Sequence, residues 1–300
     1  MAYGSVFRQG LFAGQTVVVT GGGSGIGRCT AHELSALGAR VILIGRTASK
    51  LEAVAGEIHE EGGEAFIRPL DIRVEPDVKE AVAALVAEHG PIQGLVNNAG
   101  GQFPSPLSAI SQKGFETVLR TNLVGGFLMA RELFGACMQR HGGAVVNLVA
   151  DFWRGMPGMG HSGAARAGMV NFTQTAAVEW APAGVRVNAV APGWIASSGL
   201  DSYSGAVRAI IPRLKESVPL KRLGSEAEVS AAICFLLSEA AAFITGSVIQ
   251  VDGGAPLASA IWPMSDHDRS KPFEGFHLAK APAVLDDPTV LQDPTVLQED

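Results

Sequence analysis

A glycine-rich run near the N-terminus, TGGGSGIG at residues 20–27, has the composition and spacing of a phosphate-binding turn. It follows a short apolar run and precedes a segment with helical periodicity. Glycine permits a tight turn and close approach of the backbone to a pyrophosphate, and the N-terminus of the next helix offers unpaired N–H groups to phosphate oxygens. The run therefore predicts a dinucleotide-binding turn, with contacts from Gly21, Ser24, Gly25, Ile26 and Gly27.

The end of the second apolar run distinguishes between the two nicotinamide dinucleotides. An enzyme that binds NAD usually has Asp or Glu here to hold the ribose hydroxyls, and this carboxylate would repel a 2′-phosphate. The present chain has Gly45 and Arg46 instead, with Arg28 just after the glycine turn. A hydrogen bond from a guanidinium to a phosphate contributes about 1.5–3 kcal/mol. Although Arg46 alone is compatible with a solvated loop charge, the missing acid favours NADPH as the cofactor.

The elements that would position these residues alternate along the chain. Short, β-branched apolar runs are separated by longer segments of helical period, which is typical of βαβ units and of a parallel sheet covered by helices on both faces. The predicted strands are 16–20, 40–44, 64–69, 94–97, 144–148, 185–189 and 247–251. The predicted helices are 26–37, 48–61, 75–89, 111–140, 163–180 and 226–237. The sequence thus predicts an α/β fold of Rossmann type, with a doubly wound, seven-stranded parallel sheet.

A long insertion and a C-terminal extension interrupt this alternation. Residues 194–223 separate the sixth strand from the last helix, and loops of this length in a compact domain are usually functional, so we expect a substrate loop there. Residues 11–256 then form one dinucleotide-binding domain, followed by an extension at 257–300. The extension ends in a duplicated DPTVLQ segment without a core pattern, so we expect residues 286–300 to be mobile.

Composition and charge exclude several classes of protein. The chain has 300 residues, of which 47% are hydrophobic and 17% charged, and its net charge of −6 argues against a nucleic-acid surface. Its three cysteines are far apart and form no metal-ligand or redox pair, so no metal site is predicted. No apolar run is long enough for a membrane span, and the N-terminus lacks the apolar core of a secretion signal. The expected location is therefore cytoplasmic.

Further motifs resemble those of the short-chain dehydrogenase/reductase family over residues 11–256. They are the glycine turn, Asp71-Ile72, Asn97-Asn98-Ala99-Gly100, Asn122, and Arg186-Val-Asn-Ala-Val-Ala-Pro192-Gly193. The resemblance implies contacts to adenine from Asp71 and Ile72, to the ribose from Asn98, Ala99 and Gly100, and to the nicotinamide and its carboxamide from Pro192, Gly193 and Ile195. It also implies a homotetramer.

The catalytic segment of that family is altered in this chain. Members of the family usually have a serine on the fifth strand and a Tyr-x-x-x-Lys motif on the next helix. Here the serine position holds Val149 or Ala150, and the string HSGAARAG places Ser162 at the tyrosine and Arg166 at the lysine. Asn122 alone is retained. The resemblance therefore implies a donor set of Asn122, Ser162 and Arg166, in which Arg166 also binds the nicotinamide ribose.

Each catalytic candidate also has a purely structural interpretation. Ser162 could be the N-cap of the helix that follows, a position where serine is frequent, and Asn122 could be a satisfied buried amide. The chain has two tyrosines, of which Tyr203 lies in the predicted substrate loop. Tyr203 is therefore the one candidate for a catalytic phenol, although tyrosines in loops often only pack.

The loss of the tyrosine and the lysine determines which reactions stay accessible. Ketone reduction needs a proton donor for an alkoxide, but Ser162 is a much weaker acid than tyrosine, and Arg166 does not deprotonate in proteins. We therefore expect slow reduction of ordinary ketones. Reduction of a C=C bond conjugated to a thioester does not need so strong a proton donor, because fixed donors can stabilise the enolate and a weak acid or water can protonate Cα.

Within the family, the chain resembles peroxisomal trans-2-enoyl-CoA reductases and their bacterial relatives. The resemblance rests on the strings NNAGGQFPS at 97–105, HSGAARAG at 161–168 and DHD at 266–268. It implies NADPH-dependent reduction of the C=C bond of a 2-enoyl thioester, a small-molecule acyl substrate and a role in fatty acid metabolism. Two alternatives stay open: an alcohol or aldehyde dehydrogenase of terpenoid degradation, and a catalytically silent NADPH-binding scaffold.

Overall fold

The strands form where β-branched apolar runs can be covered on both faces. The computed structural model describes residues 2–259 and 261–287. Its sheet is built from β1 (Thr16–Thr20), β2 (Arg40–Gly45), β3 (Glu64–Pro69), β4 (Gly94–Asn97), β5 (Gly143–Leu148), β6 (Val185–Pro192) and β7 (Val248–Val251). All neighbouring strands are parallel, in the order β3-β2-β1-β4-β5-β6-β7. The predicted seven-stranded parallel sheet is confirmed.

Helices cover both faces because successive residues of a strand point to opposite sides of the sheet. The helices are α1 (Gly25–Ala36), α2 (Ala48–Glu60), α3 (Glu75–His89), α4 (Gln112–Leu119), α5 (Gly125–Leu133), α6 (Gln139–His141), α7 (Gly160–Glu179), α8 (Gly205–Ile210) and α9 (Glu226–Leu237). In β1, Val17 and Val19 belong to one core cluster with Leu34 of α1 and Ile233 of α9. Val18 belongs to the cluster on the other face, with side chains of α3 and α5. The doubly wound arrangement is confirmed.

The helix predicted over 111–140 is not a regular α-helix. It consists of α4, α5 and α6, which are separated by π turns at Arg120–Val124 and Phe134–Met138. A π turn contains one extra residue within an otherwise continuous helix, and the whole segment was assigned to one helix from the sequence. Asn122 lies buried at the centre of the first π turn. Such turns are frequent at functional sites.

The topological switch point lies between β1 and β4. From β1 the sheet continues through β2 to β3 on one side, and through β4 to β7 on the other. In open parallel sheets, ligands bind outside the carboxyl ends of the strands at such a point. The glycine turn follows β1 here, Asn98 follows β4 and Gly193 follows β6. The fold thus brings the predicted cofactor residues to one edge of the sheet.

The predicted substrate loop has secondary structure of its own and is tied to the C-terminal extension. In this loop, α8 lies between two 3₁₀ segments, Ser198–Ser202 and Ile211–Ser217. Val284 of the extension is fully buried against apolar side chains of the loop, and its backbone N–H donates to Asp201 Oδ1 (3.0 Å). The extension therefore holds the loop in place.

The division into a domain at 11–256 and an extension at 257–300 stays a prediction. Of the segment predicted to be mobile, residues 288–300 lie outside the described part of the chain, while Asp287 forms an ion pair with Arg208 (3.1 Å). Across the described ranges, no helix has both the length and the apolar character required to cross a membrane.

Candidate active site

The turn after β1 has room for glycine only. Gly21 has a positive φ of 67°, and a Cβ there would lie 2.8 Å from Asn98 Nδ2. A Cβ on Gly27 would lie 2.3 Å from the carbonyl oxygen of Gly21. Because α1 begins at Gly25, its first N–H groups have no partners within the helix. The turn is thus a cradle of backbone donors that fits a pyrophosphate.

Thr20 joins this cradle to the end of β4. Its Oγ1 accepts hydrogen bonds from the backbone N–H groups of Asn98 and Ala99, each at 3.0 Å, and Asn98 Nδ2 donates to the carbonyl oxygen of Thr20 at 3.0 Å. These bonds fix the two loops at the switch point relative to each other. The Asn98 side chain therefore braces the turn, while Ala99 and Gly100 line the cleft beside it.

This cleft carries three cationic side chains. Arg46, which the sequence predicted, lines it together with Lys50 and Arg73, which the sequence analysis missed. Arg73 donates to Asp71 through two guanidinium nitrogens, and these bonds, with a smaller effect of the Arg46 charge, lower the pKa of Asp71. Other predicted residues that line the cleft are Gly21, Ser24, Ile72, Ala99 and Gly100. Although the Asp71 carboxylate also lines the cleft and pairs with Arg73, an excess of positive charge is left, which fits a phosphate on the adenosine ribose.

Arg28 does not reach this cleft, contrary to the prediction. Its Nε and Nη2 both donate to the carboxylate of Glu57 on α2, each at 2.8 Å, and its guanidinium carbon lies 5.0 Å from the centre of the Phe276 ring. A bidentate bond to a carboxylate and an aromatic face hold a guanidinium firmly. Arg28 therefore joins α1 to α2 and to the C-terminal extension, which leaves Arg46 as the predicted arginine in the cleft.

A second cavity, of about 400 Å³, adjoins the cleft at Gly100, and a volume of this size suits a small ligand. Predicted residues that line it are Ile26, Asn98, Gly100, Arg166, Pro192, Gly193, Ile195 and Tyr203. Gln102, which was not predicted, lines it as well, and only its place in the NNAGGQFPS string could have signalled it. The structure thus brings the predicted nicotinamide contacts together with two of the four catalytic candidates.

Arg166 contributes the only charged side chain among the described residues that line this cavity. Its Nη1 donates to the carbonyl oxygen of Leu148 (2.7 Å), and its Nε is buried with no hydrogen-bond partner in the described structure. Desolvation lowers the pKa of Arg166 to about 10, so the guanidinium is still charged at pH 7. A fixed cation is therefore available to a ligand.

Asn122 lies beside Arg166. A Cβ on Gly100 would lie 2.8 Å from Arg166 Nη2 and 3.1 Å from Asn122 Oδ1. Asn122 Oδ1 accepts a hydrogen bond from the N–H of Gly101 (2.8 Å), whereas Asn122 Nδ2 is buried without a partner among residues 2–259 and 261–287. A buried donor without an acceptor costs free energy, so such groups usually mark a bound water or ligand. No protein group in the described part of the chain accepts from Asn122 Nδ2, so the amide is satisfied only if a water or ligand is bound.

Ser162 is the third residue of α7 and not its N-cap. Met159 occupies the cap position, so the structural alternative for Ser162 is wrong. The predicted direct place of Ser162 in the donor set is not observed either. Its side chain is fully buried, does not line the cavity, and donates from Oγ to Gln102 Oε1 at 2.6 Å. Ser162 therefore reaches the cavity through Gln102.

Tyr203 completes this chain of hydrogen bonds. Gln102 Nε2 donates to the Tyr203 hydroxyl oxygen at 2.8 Å. Both side chains line the cavity, and Tyr203 also packs against the buried loop residue Leu200. The predicted candidate phenol therefore lines the same cavity as Arg166 and has a defined hydrogen-bond partner.

Glu226, the first residue of α9, was not predicted as part of the site. Its Oε1 lies 3.8 Å from the position that a Cβ on Gly25 would occupy, next to the glycine turn. Burial raises the pKa of Glu226 to about 7, against an opposing effect of the Arg28 charge. Its carboxyl group is therefore largely neutral below pH 7, which suits a position beside a phosphate-binding turn.

Replacing Glu226 by glutamine should stabilise the cofactor-free protein at high pH only. Below the ordinary glutamate pKa of about 4.3, folded and unfolded chains both carry a protonated carboxyl, so wild type and Glu226→Gln should be equally stable. As the pH rises from there to 7, the Glu226 carboxyl ionises in the unfolded chain before it does so in the folded protein. The free energy of unfolding of wild type therefore falls by about 1–3 kcal/mol relative to that of the variant. Thermal unfolding at pH 5 and pH 8 checks this, with the exposed Glu239→Gln as control. A pH-independent difference would contradict it.

A comparison with known protein families shows to which family this chain belongs. The family model described as enoyl-(acyl carrier protein) reductase matches residues 21–256. The chain belongs to the short-chain dehydrogenase/reductase family. The predicted family is confirmed, and as a member of it the chain is an oxidoreductase.

Three members of the short-chain dehydrogenase/reductase family illustrate the similarity. A peroxisomal 2,4-dienoyl-CoA reductase of Danio rerio is 35% identical over 262 residues, which are 86% of this chain and 87% of the relative. The solved structure of a citronellol catabolism dehydrogenase from Pseudomonas aeruginosa PAO1 is 65% identical, with a TM-score of 0.77 over 84% of this chain and 99% of that chain. An actinorhodin polyketide ketoreductase, solved with NADPH, is 29% identical, with a TM-score of 0.77 over 83% of this chain and 99% of that chain.

Proposed function

We propose that this chain is an NADPH-dependent reductase of the C=C bond of a 2-enoyl thioester. The observation that carries the proposal is Arg166 at the family's lysine position, where it is the only charged group among the described lining residues of the cavity. A fixed cation stabilises an enolate oxygen, whereas the alkoxide formed from a ketone needs a proton. The charge and the donors of the site therefore favour reduction of the C=C bond.

The cofactor residues fit NADPH. The glycine cradle suits the pyrophosphate, and Arg46 with Lys50 and Arg73 suits a 2′-phosphate. Pro192, Gly193 and Ile195 line the cavity where the nicotinamide is expected. When bound, NADPH supplies the hydride for the reaction. The related ketoreductase solved with NADPH supports this choice of cofactor.

The chain's own residues would act on the charge that the reaction creates. Addition of a hydride to Cβ moves the electrons of the C=C bond towards the thioester oxygen. Arg166 would stabilise the negative charge on this oxygen, because Leu148 holds the guanidinium and no carboxylate in the described structure neutralises it. Asn122 Nδ2, the second unpartnered donor, adds to the same stabilisation directly or through a water. Addition of a proton to Cα then completes the saturated thioester.

A recess next to the cavity, lined mainly by apolar residues together with Asp151 and Gln102, fits an acyl chain. It has a volume of about 250 Å³ and shares Gln102, Gly193 and Trp194 with the larger cavity. Met156 and Met159 line its far part. Methionine side chains adapt readily to apolar ligands of different shape. The recess therefore supports a substrate with an apolar tail beside its reacting group.

The relatives support two substrates. The Danio rerio relative acts on a dienoyl-CoA according to its name, which favours an acyl thioester. The second candidate function is a dehydrogenase of a terpenoid alcohol, which the 65% identity to the citronellol catabolism dehydrogenase favours. The intact cradle and the unpartnered donors weigh against a silent scaffold. Roles in fatty acid metabolism, a homotetramer and a cytoplasmic location stay predictions.

A substrate panel followed by NADPH absorbance tests the proposal. Its members are a 2-enoyl-CoA, citronellal and a simple ketone, with citronellol and NADP⁺ for the reverse direction. The proposal expects kcat/KM for the enoyl-CoA to exceed that for the ketone by about 10² or more, since the family's tyrosine–lysine pair, which usually protonates the alkoxide of a ketone, is replaced by Ser162 and Arg166. Turnover of citronellol or citronellal alone would establish the second candidate. Tight NADPH binding without any turnover would indicate a scaffold.

Cofactor preference gives a separate prediction. Arg46→Ala should weaken NADPH binding about tenfold or more and leave NADH binding nearly unchanged, because it removes a guanidinium of the cleft that we propose binds the 2′-phosphate. Titration of both cofactors into wild type, Arg46→Ala and the exposed control Arg140→Ala measures the effect. Equal affinity of the wild-type protein for NADPH and NADH would contradict the prediction.

A further inference from the structure

The two hydrogen bonds of Gln102 run in one direction in the structure. Ser162 Oγ donates to Gln102 Oε1 (2.6 Å), and Gln102 Nε2 donates to the Tyr203 hydroxyl oxygen (2.8 Å). An amide has an acceptor at one end and donors at the other. In the structure the acceptor end faces the fully buried Ser162, and the donor end faces Tyr203. Gln102 thus joins the buried serine to the phenol.

This orientation leaves the phenolic proton of Tyr203 free. The phenol oxygen accepts a hydrogen bond from Gln102, so its own O–H does not donate to that partner. Tyr203 and Gln102 line the same cavity as Arg166. The other hydroxyls there belong to Ser197 and Ser202, which are aliphatic and weaker acids than a phenol. Tyr203 is therefore the strongest hydroxyl acid in the cavity.

We propose that Gln102 is a positioning residue that holds Tyr203 as the proton donor of the reaction. The proposal rests on the proposed function. In the step that follows hydride addition, the O–H bond of Tyr203 breaks and a C–H bond forms at Cα, with the enolate electrons forming the new bond. The negative charge moves to the phenolate oxygen, where the Gln102 N–H stabilises it, and solvent restores the proton.

Three substitutions test the direction of these bonds. Tyr203→Phe removes the proton donor and should lower kcat on a 2-enoyl-CoA by about 10²-fold or more. Gln102→Leu removes both bonds and should lower kcat by about tenfold or more, with little change in KM. Gln102→Glu keeps the shape but offers only acceptors, so Tyr203 would donate its proton to the carboxylate, and kcat should fall at least as far. The control is Gln112→Leu, an exposed glutamine on α4 bonded to Glu116, which should leave kcat unchanged.

A double variant separates this role from a structural one. In Gln102→Leu with Tyr203→Phe, kcat should be no lower than in Tyr203→Phe alone, because the glutamine acts through the phenol. If the double variant instead lost kcat by the product of the two single losses, that result would overturn the proposal. So would an unchanged kcat in Tyr203→Phe while wild type still reduces the enoyl-CoA, a result that leaves the proposed function intact. If the wild-type protein turns over only a terpenoid substrate, the proposed function fails, and the same cycle on that substrate still tests Gln102.

A spectroscopic measurement tests the hydrogen bond without turnover. The chain has two tyrosines, Tyr3 and Tyr203, so ¹³Cζ-labelled tyrosine gives two resonances, and Tyr203→Phe assigns them. Gln102→Leu should shift the Tyr203 resonance, because the phenol loses its donor, and leave that of the buried Tyr3 in place. Equal melting temperatures and NADPH affinities show that the fold is retained. An unmoved Tyr203 resonance would overturn the proposed positioning.

Discussion

Replacing Arg166 by methionine should lower kcat on a 2-enoyl thioester by about 10²- to 10³-fold. The variant keeps most of the side-chain volume but removes the only charged group among the described lining residues of the cavity. Loss of one preorganised donor to an oxyanion typically has an effect of this size. NADPH binding should weaken as well, because the family resemblance gives this residue a contact to the nicotinamide ribose. Steady-state kinetics and cofactor titration measure the two effects.

The outcome for Arg166→Lys sharpens this prediction. A lysine ammonium is a point charge with a shorter reach, so it cannot hold the Leu148 carbonyl and present donors to the cavity as a planar guanidinium does. We therefore expect only partial recovery of kcat. Arg140→Met, an exposed arginine on α6, serves as the matched control and should behave as wild type. Wild-type kcat in Arg166→Met would show that the cation does not act on the reacting group.

Asn122→Asp should reduce kcat by about 10²-fold while the protein keeps its fold. The substitution retains an oxygen that can accept from the Gly101 N–H, but it removes the unpartnered Nδ2 donor. It also brings a carboxylate next to Arg166. Arg166 Nη2 and Asn122 Oδ1 both lie close to the position that a Cβ on Gly100 would occupy. Both changes weaken stabilisation of an enolate. Kinetics and melting temperature, measured together, check this result.

The control for this variant is Asn171→Asp, an exposed asparagine on α7. It adds the same charge outside the cavity, so kcat should be unchanged. A purely structural role of Asn122 predicts a different pattern, in which Asn122→Leu, but not Asn122→Asp, lowers stability by about 1–3 kcal/mol and kcat is spared in both. That pattern would remove Asn122 from the catalytic machinery.

Local patterns were sufficient to predict most of the fold. The strands of a doubly wound sheet are buried on both faces, so segments such as Val17–Val19 in β1 are apolar throughout and separate clearly from the helical segments. The π turn around Asn122 was missed because the helix continues on both sides of it, so the segment was assigned to one helix. The packing of Val284 on the substrate loop was missed because contacts of an irregular segment leave no periodic pattern.

The candidate site was predicted where backbone conformation requires a particular residue. Gly21 and Gly27 have no room for a side chain, so the glycines in the sequence were sufficient to predict the turn. Contacts between side chains distant in the chain have no such signature. Arg28 was wrongly assigned to the phosphate. Its pairing with Glu57 forms only when α1 packs against α2, so no pattern in the sequence indicated it. The link from Ser162 through Gln102 joins residues 60 positions apart and became visible only in the folded chain.

The position of the transferred hydride tests the central claim most directly. Wild-type protein is incubated with a 2-enoyl-CoA and NADPH deuterated at C4 of the nicotinamide, on each face in turn, and the product is analysed by mass spectrometry and NMR. The account predicts a saturated acyl-CoA that carries one deuterium at Cβ, from one of the two cofactor samples. An unlabelled, unreduced enoyl-CoA, together with deuterium on the carbinol carbon of an alcohol formed from citronellal, would contradict it.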